Sequence, residues 1–160
     1  IFIVADPTTY GTSTVASDDT VRLSYASKLT TVSGTFAVDE KITQASTGAV
    51  ATVVEWDATN SILYYQQERY NGYGTDSIGA YAILSGTNAI TGATSSAVGT
   101  PDATADTAVT LANGFTITFT DGYANPELQP DSGSIIFTEN IAPNSRSAEQ
   151  TDDFKIIVEF

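Results

Sequence analysis

The sequence predicts an all-β or mainly β protein with little helix, in which antiparallel, hairpin-rich modules form a sandwich or a barrel-like structure. Short apolar runs recur along the chain with turn residues between them, as in proteins made of hairpins. Threonine and serine are abundant, and the β-branched side chain of threonine fits the pleated surface of a strand. In windows of about twelve residues, the apolar residues do not recur with the helical period of about 3.6 residues.

The apolar runs give the expected strands, in chain order: Ile1–Val4, Val21–Tyr25, Ala49–Trp56, Ile62–Gln66, Ala80–Leu84, Ala108–Leu111, Phe115–Thr120, Ser134–Thr138 and Phe154–Phe160. Turn residues justify the boundaries between them. Asp57–Asn60 separates the third strand from the fourth, and Asn71-Gly72 follows the fourth. Asn113-Gly114 separates the sixth from the seventh, and Asp121-Gly122 follows the seventh. Asn-Gly and Asp-Gly supply the positive φ angles that tight hairpins require.

The turn before the eighth strand needs a separate argument, because Asp131-Ser132-Gly133 also has the composition of an aspartic protease's catalytic turn. Pro130 precedes it, and proline cannot continue the hydrogen-bonded ladder of a central strand. The chain contains no second turn of this type, and its 160 residues are too few for two protease lobes. We therefore interpret Asp131–Gly133 as a turn that leads into the strand Ser134–Thr138.

The last expected strand has two unequal faces, because side chains alternate along a strand. The face with the larger apolar residues carries Phe154, Ile156, Val158 and Phe160. Ile157 lies on the opposite face with Lys155 and Glu159, where folding of the monomer does not need it. Ile157 is therefore an interface candidate, although a single exposed isoleucine is also common without any function.

Two stretches of the chain resemble each other. Ile42–Val50 (ITQASTGAV) and Ile90–Val98 (ITGATSSAV) match at Ile, Thr, Ala, Ala and Val, and the offset is 48 residues. This similarity predicts a duplicated small β module, with repeat units at 36–54 and 82–98. Coincidence in a chain rich in Thr, Ala and Ser is the alternative.

The expected domain organisation depends on a change in composition near residue 100. Ser95–Thr107 is the most linker-like stretch of the chain. We therefore expect one or more β modules in residues 1–100 and a C-terminal β domain in residues 101–160, which ends in the strand 154–160.

The net charge of −13 excludes several partners. The phosphates of nucleic acids require clustered lysine and arginine, whereas the six basic residues of this chain are scattered. An anionic membrane surface would repel the chain for the same reason. We therefore expect neither a nucleic acid nor a membrane as a partner.

The residue types that most enzymes use are missing. The chain has neither histidine nor cysteine, so catalytic triads, thiolate nucleophiles and histidine-containing metal sites are excluded. Adjacent acidic pairs such as Asp152-Asp153 point to opposite faces of a strand and are poor catalytic couples. The acidic stretch Asp121–Asp131 offers oxygen ligands but lacks the regular spacing of a calcium loop. We expect no enzymatic activity, no catalytic residue, no cofactor and no metal.

A cluster of tyrosines supplies the first interface candidates: Tyr64, Tyr65, Tyr70 and Tyr73. Tyrosine is amphipathic and loses little conformational entropy when it is fixed, so exposed clusters suit contacts with proteins or sugars. The alternative is that the alternate rings only cap a sheet edge.

The stretch Asp121–Phe160 (DGYANPELQPDSGSIIFTENIAPNSRSAEQTDDFKIIVEF) resembles the baseplate wedge proteins of T4-like contractile-tailed phages, in particular the gene product eight type, which forms a dimer in each wedge. The resemblance covers roughly the last quarter of the chain well. The pattern F-x-x-x-E-x-I-T…TGA-x-ATV in Phe36–Val53 is similar to a small β module of structural proteins in T4-like cyanobacterial phages. The chain is short for such a protein and begins with Ile1 rather than methionine, so we expect a cleaved form, the C-terminal part of a longer chain or a shortened relative.

The resemblance implies a non-enzymatic virion subunit in the tail baseplate, assembled in the host cytoplasm. It also implies a homodimer that contacts other tail subunits.

Arg146, between Pro143 and the last strand, is an interface candidate because a guanidinium can form two parallel hydrogen bonds with a carboxylate. The alternative for Arg146 is an exposed, solvated side chain without a function.

Three other functions of the chain are alternatives to the baseplate role. They are a tail-fibre or adhesin module that binds host glycans, a head decoration protein and, most distantly, a glycosidase.

Overall fold

The computed structural model describes residues 2–17, 21–67, 74–75, 78, 80–104, 108–129 and 131–139. This part of the chain contains strands and no helix, so the predicted all-β class is confirmed. The strands are β1 (Phe2–Ala5), β2 (Tyr25–Ser33), β3 (Lys41–Gln44), β4 (Ala49–Asp57), β5 (Ile62–Gln66), β6 (Ile90–Gly92), β7 (Val98–Pro101), β8 (Ala108–Thr110), β9 (Thr116–Thr118), β10 (Tyr123–Ala124) and β11 (Ser134–Thr138).

The main sheet is antiparallel and closes on itself. Its strand order is β10-β2-β5-β4-β3-β6-β7, and an additional pairing joins β7 back to β2. The long strand β2 makes this closure possible because its two halves pair differently. Tyr25–Lys28 pairs with β5, whereas Leu29, Thr30 and Ser33 pair with β7. Six strands therefore form a ring, and β10 extends β2 beside it.

The core inside the ring comes from side chains that alternate along its strands. Ile42 and Gln44 of β3 are buried, whereas Lys41 and Thr43 between them are exposed. The same interior holds large residues from the other strands and loops: Leu29, Phe36, Val53, Leu63, Tyr65, Leu84 and Ile90. Small residues such as Ala51 fill the remaining space, which fits the narrow interior of a six-stranded ring.

A second core lies on the outer face of β2 and β5, under the hairpin of β8 and β9. Ile117 and Phe119 of this hairpin segment pack against Ala26, Ile62 and Tyr64. Because the hairpin covers one face and the ring interior covers the other, four successive residues of β5 are all buried. This strand is the centre of the fold.

The two similar stretches of the sequence form equivalent hairpins. Ile42 pairs with Ala51 in the first hairpin, and Ile90 pairs with Gly99 in the second, so the register is identical after the 48-residue offset. The two hairpins lie side by side, with Thr43 opposite its own equivalent, Thr91. This pairing relates them by a local two-fold axis.

Glu40 binds the second hairpin to the segment before the first. Its Oε1 accepts hydrogen bonds from the Ala37 N–H (2.8 Å) and the Ser95 hydroxyl (2.7 Å). Its Oε2 accepts from the backbone N–H groups of Thr94 (3.0 Å) and Ser95 (2.9 Å). The carboxylate is only 5% exposed.

Gln44 makes the equivalent hydrogen bonds on the other side of the local two-fold axis. Its Oε1 accepts hydrogen bonds from the Ser85 N–H (2.9 Å) and the Thr47 hydroxyl (3.0 Å). These two donors occupy the positions that correspond to Ala37 and Ser95, the donors to Glu40 Oε1. The equivalence of the two hairpins therefore extends from the register to the buried polar contacts, as the predicted duplication would require.

Most of the predicted strands overlap strands of the structure, but one apolar run, Ala80–Leu84, does not. Ile62–Gln66 and Ser134–Thr138 have the predicted bounds, and the strands predicted around 1–4, 49–56, 108–111 and 115–120 overlap β1, β4, β8 and β9. Ala80–Leu84 is not a strand: Tyr81 makes only an isolated bridge, and Leu84 is buried as the equivalent of Phe36. The last predicted strand, 154–160, lies outside the described residues.

The strand predicted at Val21–Tyr25 instead begins at Tyr25, and four strands were not predicted: β3, β6, β7 and β10. The buried stretch of β2 includes Ala26 and Ser27, which are too small or too polar to stand out as an apolar run. The missed strands have only two to four residues and depend on their neighbours for pairing.

The boundary expected near residue 100 falls within β7. Strands from the two expected domains also pair with each other, since β1 pairs with β11 and β2 pairs with β10. In the described residues, the two halves therefore share their sheets.

Candidate functional site

Two tyrosines of the cluster lie in the described residues, and both are buried. Tyr64 and Tyr65 are 8% and 3% exposed, so they do not form the exposed aromatic surface that the sequence suggested. The reason is that β5 is covered on both faces. The other interface candidates lie outside the described residues: Tyr70, Tyr73, Arg146 and Ile157.

Tyr65 is a residue of the ring interior. Its ring stacks on that of Tyr25, with centroids 5.6 Å apart and an interplanar angle of 18°. Burial, followed by the nearby Tyr123 and Tyr25, raises the pKa of its hydroxyl well above the usual value. The side chain therefore serves the core.

Tyr64 points to the other face of β5 and lines two adjoining cavities of about 250 and 430 Å³. The two cavities share the residues Glu55, Tyr64, Leu111 and Asn113. We call this continuous depression the Tyr64 groove. It lies between β4 and β5 on one side and the turn of the β8–β9 hairpin on the other.

Arg22 lines the smaller cavity, and its charge is already paired. Its guanidinium donates to Glu127 (Nη2 to Oε1, 2.8 Å), to the Asn125 carbonyl (2.7 Å) and to the Ser24 carbonyl. The side chain is 10% exposed, yet its buried Nε–H has no acceptor in the described part of the chain. The groove is thus lined by an arginine whose guanidinium is fixed by its partners.

The Tyr64 hydroxyl stays protonated across the physiological range. Burial, followed by the nearby charges of Asp57 and Glu55, raises its pKa to about 12. A neutral phenol can both donate and accept a hydrogen bond.

Asp57 shapes the far end of the groove. Its carboxylate accepts hydrogen bonds from the Thr59 N–H (2.9 Å), the Asn60 N–H (3.0 Å) and the Asn60 side chain (2.7 Å). Burial alone would raise the pKa of Asp57, but these hydrogen bonds and the nearby Lys28 lower it below the usual value. This end of the groove is therefore acidic and rigid.

A second candidate surface is the two-stranded sheet of β1 and β11, which we call the β1–β11 ribbon. Its exposed large apolar residues are Ile3, Val4, Ile135, Ile136 and Phe137. Neither strand contains a charged residue, and in the described residues neither pairs with a third strand. The ribbon is the longest run of exposed apolar residues that the sheets present.

Asp131 lies in the turn before this ribbon, as the sequence analysis predicted. It has a positive φ of 59°, and the Ser132 hydroxyl donates to the Gln129 carbonyl (2.8 Å) while accepting from the Thr8 N–H (2.9 Å). The turn therefore contacts the N-terminal segment through the hydrogen bond between Ser132 and Thr8.

No cluster of three or more acidic residues suited to a metal ion is found among the described residues. The same part of the chain contains no helix that could cross a membrane.

Sequence reasoning did not find the Tyr64 groove, except for Tyr64 itself. Arg22 and its partner Glu127 are 105 positions apart, and Asn113 appeared only as a turn residue. No local pattern in the sequence connects them. The pairing of β10 with β2 brings Glu127 to Arg22, and the β8–β9 hairpin places Asn113 at the groove.

Comparisons with known proteins add no relative: no family model matches the chain, and the searches of curated proteins and of solved structures found no match.

Proposed function

We propose that this chain is a structural subunit that acts through protein–protein contacts, and more specifically a baseplate wedge component of a contractile phage tail. The observation that carries the proposal is the β1–β11 ribbon. The motif resemblance of Asp121–Phe160 and of Phe36–Val53 supports the more specific part of it.

In an isolated monomer, exposure of the ribbon to water is energetically unfavourable. Contiguous exposed apolar surface marks interaction sites, and unpaired strand edges are templates for added strands. Ile135 and Ile136 are 63% and 65% exposed, so most of their apolar area gains nothing from folding of the monomer. A two-stranded sheet is also marginal in water unless something packs on it. A partner subunit, including a second copy of this chain, would remove both disadvantages.

The ribbon combines exposed apolar side chains with an absence of charge. The chain carries a net charge of −13, which opposes non-specific association, whereas β1 and β11 have no charged side chain. A contact on these two strands would therefore bury no charged side chain of the strands themselves.

The test is whether the protein co-purifies with particles of a contractile phage tail. We expect Ile136→Asp in the ribbon to abolish co-purification with tail particles, because a buried aspartate would be left unpaired. The matched control is Ile83→Asp, since Ile83 is equally exposed (63%) and lies outside the ribbon. Both variants should keep the wild-type melting temperature.

Two results would refute the proposal. One is that the protein is missing from purified tail particles, which would reject the baseplate assignment. The other is that Ile136→Asp assembles as well as Ile83→Asp does, which would reject the ribbon as the contact surface.

A further inference from the structure

We propose that the Tyr64 groove binds a neutral saccharide. This inference is independent of the assembly role, because the groove lies on the face of β4 and β5 and shares no residue with the β1–β11 ribbon. Its two adjoining cavities of about 250 and 430 Å³ provide the space that small ligands usually occupy in proteins.

The groove combines an apolar wall with convergent polar groups. Leu111 and Phe115 of the hairpin segment are only partly buried and offer an apolar surface for one face of a sugar ring. The Tyr64 hydroxyl, the Asn113 amide and the Glu55 carboxylate lie along the same depression. Hydroxyl groups of a saccharide can donate to the carboxylate and both donate to and accept from the phenol and the amide.

Arg22 forms a fixed part of the wall of the smaller cavity. Its guanidinium is held in place by Glu127 and by the carbonyls of Ser24 and Asn125. Its Nε atom is enclosed by protein, so a ligand in the cavity does not contact it. This side of the cavity therefore has its shape before a ligand arrives.

The charges of the groove disfavour an anionic ligand. The Arg22 charge is paired with Glu127, whereas Glu55 and Asp57 line the larger cavity without an ion pair among the described contacts. An anionic ligand would meet these two carboxylates at close range and be repelled.

The experiment uses the full chain, labelled with nitrogen-15, and follows its backbone amide resonances. The probes are lactose, maltotriose and N,N′-diacetylchitobiose, each added to about 10 mM, which detects a Kd on the order of 1 mM. We expect at least one probe to shift the resonances of Glu55, Tyr64, Leu111 and Asn113. Methyl glucuronide, an anionic sugar, should bind at least about tenfold more weakly.

Tyr64→Phe removes only the hydroxyl and keeps the ring that packs under the hairpin. We expect it to weaken saccharide binding about tenfold, the effect of one lost hydrogen bond. Tyr10→Phe is the matched control, because Tyr10 is 61% exposed and lies outside the groove. It should leave binding unchanged.

Each remaining outcome counts against the proposal. It is rejected if none of the three neutral probes shifts the groove resonances, if Tyr64→Phe binds as tightly as the wild type, or if methyl glucuronide binds more tightly than the neutral sugars. The spectrum of Tyr64→Phe outside the groove must match that of the wild type, which excludes unfolding as the cause of lost binding.

Discussion

Glu40 shows how a single residue couples the charge of this protein to its stability. Burial alone would raise the pKa of its carboxyl, but the hydrogen bonds from Ser95, Ala37 and Thr94 outweigh burial and lower the pKa below 4.5. The ionised form is therefore favoured by folding. Its contribution to stability is present above about pH 4.5 and is lost as the pH falls through the folded pKa.

We predict that Glu40→Gln lowers the free energy of unfolding at neutral pH by about 2–4 kcal/mol. Both carboxylate oxygens of Glu40 accept hydrogen bonds. In glutamine, an NH₂ group replaces one of these oxygens and cannot accept, so the donors on that side lose their partner. The loss of stability below pH 4.5 should also become less steep than in the wild type. Urea denaturation across this pH range measures both effects.

The control for this prediction is Asp39→Asn, because Asp39 is adjacent but exposed. Its effect should stay within about 0.5 kcal/mol. An unchanged acid dependence in Glu40→Gln would show that other carboxyls, such as Asp57, determine acid unfolding.

The two buried tyrosines predict sensitivity to alkali. The unfolded chain loses its phenolic protons near pH 10, whereas the folded protein holds that of Tyr64 until about pH 12. The contribution of Tyr64 to the free energy of unfolding should therefore be fully present below about pH 10. It should decrease as the pH rises from there towards 12. Tyr64→Phe should flatten this fall, as measured by denaturation at several pH values, while Tyr10→Phe should not. An equal fall in all three proteins would contradict the assignment.

At the scale of the elements, the two equivalent hairpins explain why position 92 is a glycine. Gly92 corresponds to Gln44, yet a Cβ atom at position 92 would lie 2.6 Å from Glu40 Oε1 and 2.5 Å from the Ser95 hydroxyl oxygen. The carboxylate of Glu40 already occupies the place of the missing side chain. The equivalent pairs of donors therefore find their acceptor at position 40 in one case and at position 44 in the other. Ala37 N–H and the Ser95 hydroxyl donate to Glu40, whereas Ser85 N–H and the Thr47 hydroxyl donate to Gln44.

This symmetry predicts a compensating pair of substitutions. Glu40→Ala leaves the Ala37 N–H and the Ser95 hydroxyl without their acceptor, and Gly92→Gln alone collides with Glu40. Combined, they should recreate the arrangement of Gln44, so the double variant should be more stable than the sum of the single effects predicts by about 1–3 kcal/mol. Thermal and chemical denaturation of all four proteins form the required double-mutant cycle. Simple additivity would contradict the proposed equivalence.

The elements also show what could be predicted from the sequence. Strands that bury large residues, such as Ile62–Gln66, follow directly from the apolar pattern. The strands β3 and β6 could be found only through the similarity between the two repeats, because each has one large apolar residue. The burial of Tyr64 could not be predicted, because it depends on a hairpin that lies more than 40 positions further along the chain.

At the scale of the whole molecule, the closed ring and the β1–β11 ribbon differ in how they are stabilised. Every strand of the ring has a neighbour on both edges and contributes to a shared core. All five residues of β11 are exposed, and β1 is its only partner strand in the described residues. Cooperative stability depends on buried apolar contacts, so the two parts should open separately.

We therefore predict two classes of backbone amides in a hydrogen-exchange experiment. Amides of β2, β4 and β5 should exchange only through global unfolding, which requires about 5–15 kcal/mol in a domain of this size. Amides of β1 and β11 should exchange several orders of magnitude faster in dilute solution and be nearly insensitive to low urea concentrations. If the ribbon is an assembly surface, its amides should become more protected as the protein concentration rises or tail subunits are added, while those of the ring stay unchanged. Equal protection of ribbon and ring in dilute solution would show instead that the monomer itself stabilises the ribbon, and the reason for expecting a partner there would disappear.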